Sequence, residues 1–142
     1  MELKAAEIQI SYKADIKNEI SIKESSLAYK IFIDTWDLNA IEYQEEFKML
    51  LLNRANKVLG ICNLFKGGTA ATCVDTKVIL SIALKCNAHS VILAHNHPSK
   101  QLIASEQDKE MTKKLKAACE LLDIHLLDHL IITSHGYKSV EV

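Results

Sequence analysis

The reading of the fold turns on SVILAHNHPSKQLIASEQDKEMTKKLKAACELL, residues 90 to 122. Together with His89, its opening run HSVILAH is continuous and β-branched, the character of a buried strand. Pro98 cannot donate a ladder hydrogen bond, so the strand should end near His97. A loop follows. From Ser105 the pattern becomes helical, with Met111, Leu115, Ala118, Leu121 and Leu122 on one side and lysines on the other.

Upstream, apolar residues recur at intervals of two between Ile8 and Ile22, which predicts one or two strands partly exposed on one face. ESSLAYKIFIDTWD predicts a helix with Ser25 or Ser26 as N-cap, ending near Asp37 to Asn39. EYQEEFKMLLLNRANKVLGICNLFKGG predicts a hairpin, with strands at about 43–52 and 57–65 and a turn at Asn53 to Asn56. Asp75 is placed to cap a helix reaching about Lys85. Downstream, IHLLDHLIIT predicts a final core strand, and Gly136 begins a short tail. A hairpin combined with strand, helix, strand alternation gives an α/β fold, a mixed sheet flanked by helices.

Residues 1–142 contain no internal repeat or linker, and 49% hydrophobic residues with four glycines and one proline supply enough apolar material for a single domain. Seventeen Lys and Arg nearly cancel eighteen Asp and Glu, so net charge gives nucleic-acid binding little support. The N-terminal MELKAAEIQISYKAD lacks a signal-peptide core and no apolar run approaches a membrane span, so the expectation is a soluble, cytoplasmic protein. Cys62, Cys73, Cys86 and Cys119 form no CxxC pair and are expected to be reduced, buried thiols.

Two readings of the histidine segment stand side by side. In a strand over 91–97, His95 and His97 point to one face about 6.6 Å apart at Cα. Two imidazoles with Asp108 would make a three-ligand metal set with a fourth position left for water. The structural reading needs no metal. Ser105 followed by Asp108 has the form of a capping box, and HxH pairs also arise by chance.

The segment His95, Asn96, His97, Pro98, Ser99, Ser105 and Asp108 resembles the HxH, ten residues, D signature of JAB/JAMM metalloproteins, specifically their RadC-like branch. EEFKMLLLNRANKVLG, SIALKCNAHSVILAHNHPS and LLDHLIIT extend the likeness over about residues 43–137. The resemblance implies a largely antiparallel mixed sheet of the JAB/JAMM, cytidine-deaminase-like architecture. It also implies a zinc ion (Zn2+) held by His95, His97 and Asp108. A glutamate from an earlier strand is implied as general base. Glu45 and Glu46 compete, and the family's spacing of Glu two residues before Phe favours Glu45, before Phe47. Ser105 would donate a hydrogen bond to the oxyanion, and the implied reaction is hydrolysis of a peptide or isopeptide bond in a peptide or protein substrate.

The chain also departs from the family. Lys100 replaces the usual glycine after HNHPS, and QLIAS lacks the usual proline before the serine, so the loop over the metal is expected to follow another path. Nothing in residues 1–40 looks like the helix-hairpin-helix that often accompanies the family, and the sequence ends with GYKSVEV. The alternative function is a non-catalytic, metal-retaining binding module, with DNA repair or mobile-element biology as a further setting. Asp128 and His129 should face opposite sides of their strand, so at most one can look toward the metal; either could accept the other ring proton of a metal-bound histidine, although a structural role is the expectation. His89, His125 and His135 are expected at the surface or at strand ends. The lysines at 109, 113, 114 and 116 read as a solvated helix face.

Overall fold

The computed structural model describes residues 1–13, 19–67 and 74–141. The element order is α1 (Ser25–Thr35), β1 (Glu46–Leu52), β2 (Val58–Lys66), α2 (Thr76–Lys85), β3 (Ser90–Asn96), α3 (Glu106–Leu121), β4 (His125–Thr133) and β5 (Gly136–Ser139). These strands form one sheet in the order β2-β1-β3-β4-β5. β3 and β4, which α3 connects, run parallel, and the other neighbouring pairs are antiparallel. The α/β class and the mixed, largely antiparallel sheet are therefore as the sequence predicts.

Every residue of β1 and β3 is buried, because both strands are central and helices cover both faces of the sheet. Side-chain alternation then divides the interior into two cores. On one face Phe47, Met49, Leu51, Val91 and Leu93 pack with Ile79 and Ala83 of α2 and with Leu115 and Cys119 of α3. On the other, Leu50, Leu52, Ile92, Ala94, Leu130 and Ile132 pack with Ala28 and Phe32 of α1. By the same parity His95 belongs to the α2/α3 face and Asn96 to the α1 face.

The hairpin forms as expected. Asn53 Oδ1 accepts from the amides of Ala55 at 2.9 Å and Lys57 at 3.0 Å, and Asn56 takes the left-handed conformation that closes the turn, at φ 59°. Asp75 caps α2 by accepting from the Lys77 amide.

Several expectations are corrected. Within the described part of the 8–22 segment no strand forms beyond an isolated bridge between Ser21 and Lys57, and Ile8 and Ile10 are exposed. A period of two makes a strand only where a ladder partner is available. Residues 14–18 lie outside the described residues, as does Cys73. Neither Ser25 nor Ser26 caps α1. The N-cap is Glu24, without a side-chain cap bond, and the Ser25 hydroxyl instead donates to Asp128 at 2.6 Å. α1 ends at Thr35, where Trp36 turns extended, and residues 40–44 form a turn that delays β1 until Glu46. Of the other cysteines, Cys119 is buried, but Cys62 and Cys86 are only half-buried; all three are free.

The tail predicted from Gly136 is instead strand β5, paired with β4 from Thr133↔Gly136 to Leu130↔Ser139. The buried face of α3 is also rotated from the predicted one. It carries Asp108, Thr112, Leu115 and Cys119, while Leu121 and Leu122 are exposed.

Candidate metal centre

His95 lies near the end of β3, His97 just beyond that strand, and Asp108 in the first turn of α3. The loop between brings the helix start back over the strand end. His95 Nε2 is 3.0 Å from His97 Nε2 and 3.3 Å from Asp108 Oδ1, and His97 Nε2 is 3.1 Å from Asp108 Oδ2. Their ligand atoms all fall within 4.8 Å of one another. This is a group able to hold a metal ion. The chemistry of the donor set fits one, since two imidazole nitrogens and a carboxylate facing each other bring electron pairs together that a cation would separate.

The backbone fixes how each ligand is presented. His97 Nδ1 donates to the Gln101 carbonyl at 2.8 Å, which leaves its Nε2 turned inward. Asp108 completes a capping box: the Ser105 side chain accepts from the Asp108 amide at 3.0 Å, and Asp108 Oδ2 accepts from the Ser105 amide at 3.0 Å. The capping and metal readings of this segment are therefore compatible. His95 is fully buried and stacks on Phe47, its register partner on β1, at 4.6 Å between ring centroids.

The hydrogen bond to Asp108 raises the His97 pKa above its ordinary value, against the opposing effect of burial. Burial pushes the Asp108 carboxyl up. Contacts with His95 and His97 and the Ser105 amide outweigh it and hold the group well below the usual carboxylate range.

Beside these three side chains opens a cleft of about 690 Å3, whose lining includes Glu45, Phe47, His97, Ser105, Asp108 and Met111. Glu45 lies one residue before β1, not within a strand, although its carbonyl still accepts from Gly67 at 3.0 Å. Its charge is near enough to contribute to the raised pKa of His97. Glu46 turns to the α1 face, where its Oε2 is buried without a partner among the described residues. Ser105 caps through its oxygen, and among the described residues no group accepts its hydroxyl proton.

Sequence reasoning passed over Asn96. Fully buried between the two histidines, it accepts from the Glu46 amide at 2.7 Å and donates to the carbonyls of Ile41 at 2.7 Å and Gln44 at 2.8 Å. It thus clamps the backbone on both sides of Glu45. The signal lay only in its position, since an asparagine on the inner strand of a sheet needs buried partners.

Asp128 and His129 do face opposite sides. Asp128 accepts from Ser25 and from Ser139, away from the ligands. His129 is buried, with its Nε2 2.7 Å from His95 Nδ1. Burial drives its imidazole far toward the neutral form. Lys100 adopts the left-handed conformation usually left to glycine, at φ 66°, and pairs with Glu42 at 3.2 Å across the loops beside the cleft. His89 and His125 face one another at strand starts, 4.9 Å apart, and His135 is exposed. Among the described residues no helix is long and apolar enough to cross a membrane.

Comparison with known proteins agrees with this geometry. The family model of the RadC-like JAB domain matches residues 22–142. A UPF0758 protein of Flavobacterium johnsoniae is 50% identical over 95 residues, 67% of this chain and 42% of the relative. UPF0758 proteins of Porphyromonas gingivalis and Aromatoleum aromaticum are 40% and 38% identical, covering 82% and 87% of this chain and 50% and 54% of their own lengths. The chain thus spans about half the length of the curated relatives it matches. With the matched residues taking in β1 through β5 and all three converging side chains, the chain belongs to the RadC-like JAB domain family.

Proposed function

We propose that the chain is a zinc-dependent hydrolase of the JAB/JAMM type, acting on an amide bond in a peptide or isopeptide substrate. The observation that carries this reading is the convergence of His95, His97 and Asp108 at the edge of a cleft that also holds Glu45 and Ser105. A zinc ion held by the three would supply Lewis acidity, lowering the pKa of water toward neutrality and polarising a carbonyl. Glu45 takes the proton from the attacking water and returns it to the leaving amine. Ser105 keeps its lone pair on the Asp108 amide and directs its free hydroxyl proton at the developing oxyanion. Phe47 and Met111 give the cleft an apolar wall on which a substrate side chain can rest.

Metal analysis of the purified chain should find one equivalent of zinc, lost in His97→Ala. Incubation with a mixed peptide library, read by mass spectrometry, should show cleavage that Glu45→Gln slows about a hundred- to ten-thousand-fold while zinc is retained. A chain without stoichiometric zinc, or one whose zinc survives His97→Ala, sinks the proposal.

The second reading is a metal-retaining binding module without catalysis, supported by the Lys100–Glu42 pair that straddles the loops beside the cleft. Zinc uptake with no cleavage, equal in the parent chain and Glu45→Gln, is the outcome it expects.

A further inference from the structure

We infer that His129 and Thr112 are positioning residues that set which nitrogen of His95 faces the metal. The inference deepens the metal-binding reading above and rests on it. It comes from following the protons along a buried chain of contacts. Thr112 and His129 are both almost fully buried, so neither can look to solvent for a partner. The Thr112 hydroxyl donates to the Asp108 carbonyl one turn earlier in α3, at 2.6 Å. With its only proton committed there, its oxygen can do nothing but accept. His129 Nδ1 lies 2.6 Å from that oxygen, so Nδ1 must carry the proton. A neutral imidazole protonated at Nδ1 has a bare Nε2, and His129 Nε2 is 2.7 Å from His95 Nδ1. His95 must therefore donate from Nδ1, which leaves the lone pair of its Nε2 directed toward His97 and Asp108.

The path has a structural origin. His129 is the register partner of Leu93 on β3, so its side chain emerges on the same face as His95, two residues further along. Thr112 stands one helical turn after Asp108, on the buried face of α3. The chain of bonds thus begins at the backbone of one proposed ligand and ends on the ring of another, joining α3, β4 and β3. His97 obtains the same presentation from the Gln101 carbonyl, a simpler device available because it stands outside the sheet. A histidine buried in a central strand cannot use its neighbours' carbonyls, which the ladder already engages, and needs a side chain to supply the acceptor.

Loss of the Thr112 hydroxyl would release the whole sequence of choices. His129 Nδ1 would have no acceptor, its ring would be free to protonate at Nε2, and His95 would then accept at Nδ1 and carry its own proton on Nε2, where the metal must bind. The step is a tautomer change, with no net gain or loss of protons.

The test uses long-range proton–nitrogen correlation spectra of the uniformly nitrogen-15 labelled chain, free of metal and at mildly alkaline pH. His129 and His95 should both show a protonated Nδ1 and a bare Nε2. A proton on Nε2 of His129 overturns the inference, and this measurement needs no variant to fold. Zinc affinity by competition with a chelating dye should fall about tenfold to a hundredfold in Thr112→Val and return to near the parent value in Thr112→Ser. Unchanged affinity in a folded Thr112→Val also overturns it. Should the parent chain take up no zinc, the metal reading fails at that point, whereas the tautomers of the metal-free chain still decide the hydrogen-bond path.

Discussion

In the proposed metal site a proton and a metal ion would compete for the same lone pair on His97, and its hydrogen bond to Asp108 favours the proton. Because the His97 pKa is raised, proton competition begins above the ordinary histidine value of about 6.5. Asp108, held low, stays anionic throughout the neutral range and adds nothing to this dependence. Zinc affinity measured against pH should fall about tenfold per unit as the solution is acidified through the raised value, one proton for each metal. A profile that stays flat until the ordinary histidine value is reached would contradict this assignment. At this scale the sequence is informative wherever the converging side chains are close in the chain, as His95, His97 and Asp108 are. Asn96 and Thr112 were not legible as partners, because each acquires its role through a contact with a different element. Alternation narrowed Asp128 and His129 to one inward-facing residue but did not say which.

Elements were legible where one signal dominated. The capped helix after Ser105 and the Asn53 turn both follow from local hydrogen bonding, whereas β5 is four residues long, opens with glycine and has no pattern that separates it from a tail. What holds β5 is tertiary. Tyr137 stacks on Tyr29 of α1 at 4.9 Å, and the Tyr29 hydroxyl donates to the Thr133 carbonyl at the end of β4. Tyr137→Ala should lower unfolding free energy by about 1–3 kcal/mol in urea titration, through lost area and lost stacking. Tyr29→Phe keeps the stack and should cost about 1 kcal/mol. A Tyr137→Ala change smaller than the Tyr29→Phe change would remove the stack as the anchor of β5. The rotated face of α3 has a related lesson. Hydrophobicity points to Met111, Leu115, Ala118, Leu121 and Leu122, but the polar Asp108 and Thr112 are drawn inward by the histidines, and the helix turns with them.

Across the whole molecule one sheet separates two cores, one packed against α2 and α3 and the other against α1. Ile79 of α2 belongs to one core and Ile132 of β4 to the other. Ile79→Val and Ile132→Val should each cost about 0.5–1.5 kcal/mol, and the double variant should equal their sum within about 0.5 kcal/mol. A larger departure would mean that strain passes through the sheet from face to face. Sequence periodicity assigned the helices and inner strands that build these cores, but could not say that the 8–22 alternation finds only a single bridge. The layout of the centre has a thermodynamic side as well. Its three candidate ligands all lie between residues 95 and 108, while the groups that orient the site come from β1, α3 and β4. A denatured chain can still chelate through so short a loop, at least weakly, and every such encounter subtracts from the stabilisation that tight binding to the native state would confer. Saturating metal should therefore protect this fold less than its native affinity suggests, and the difference measures how much of that affinity the distant strands supply.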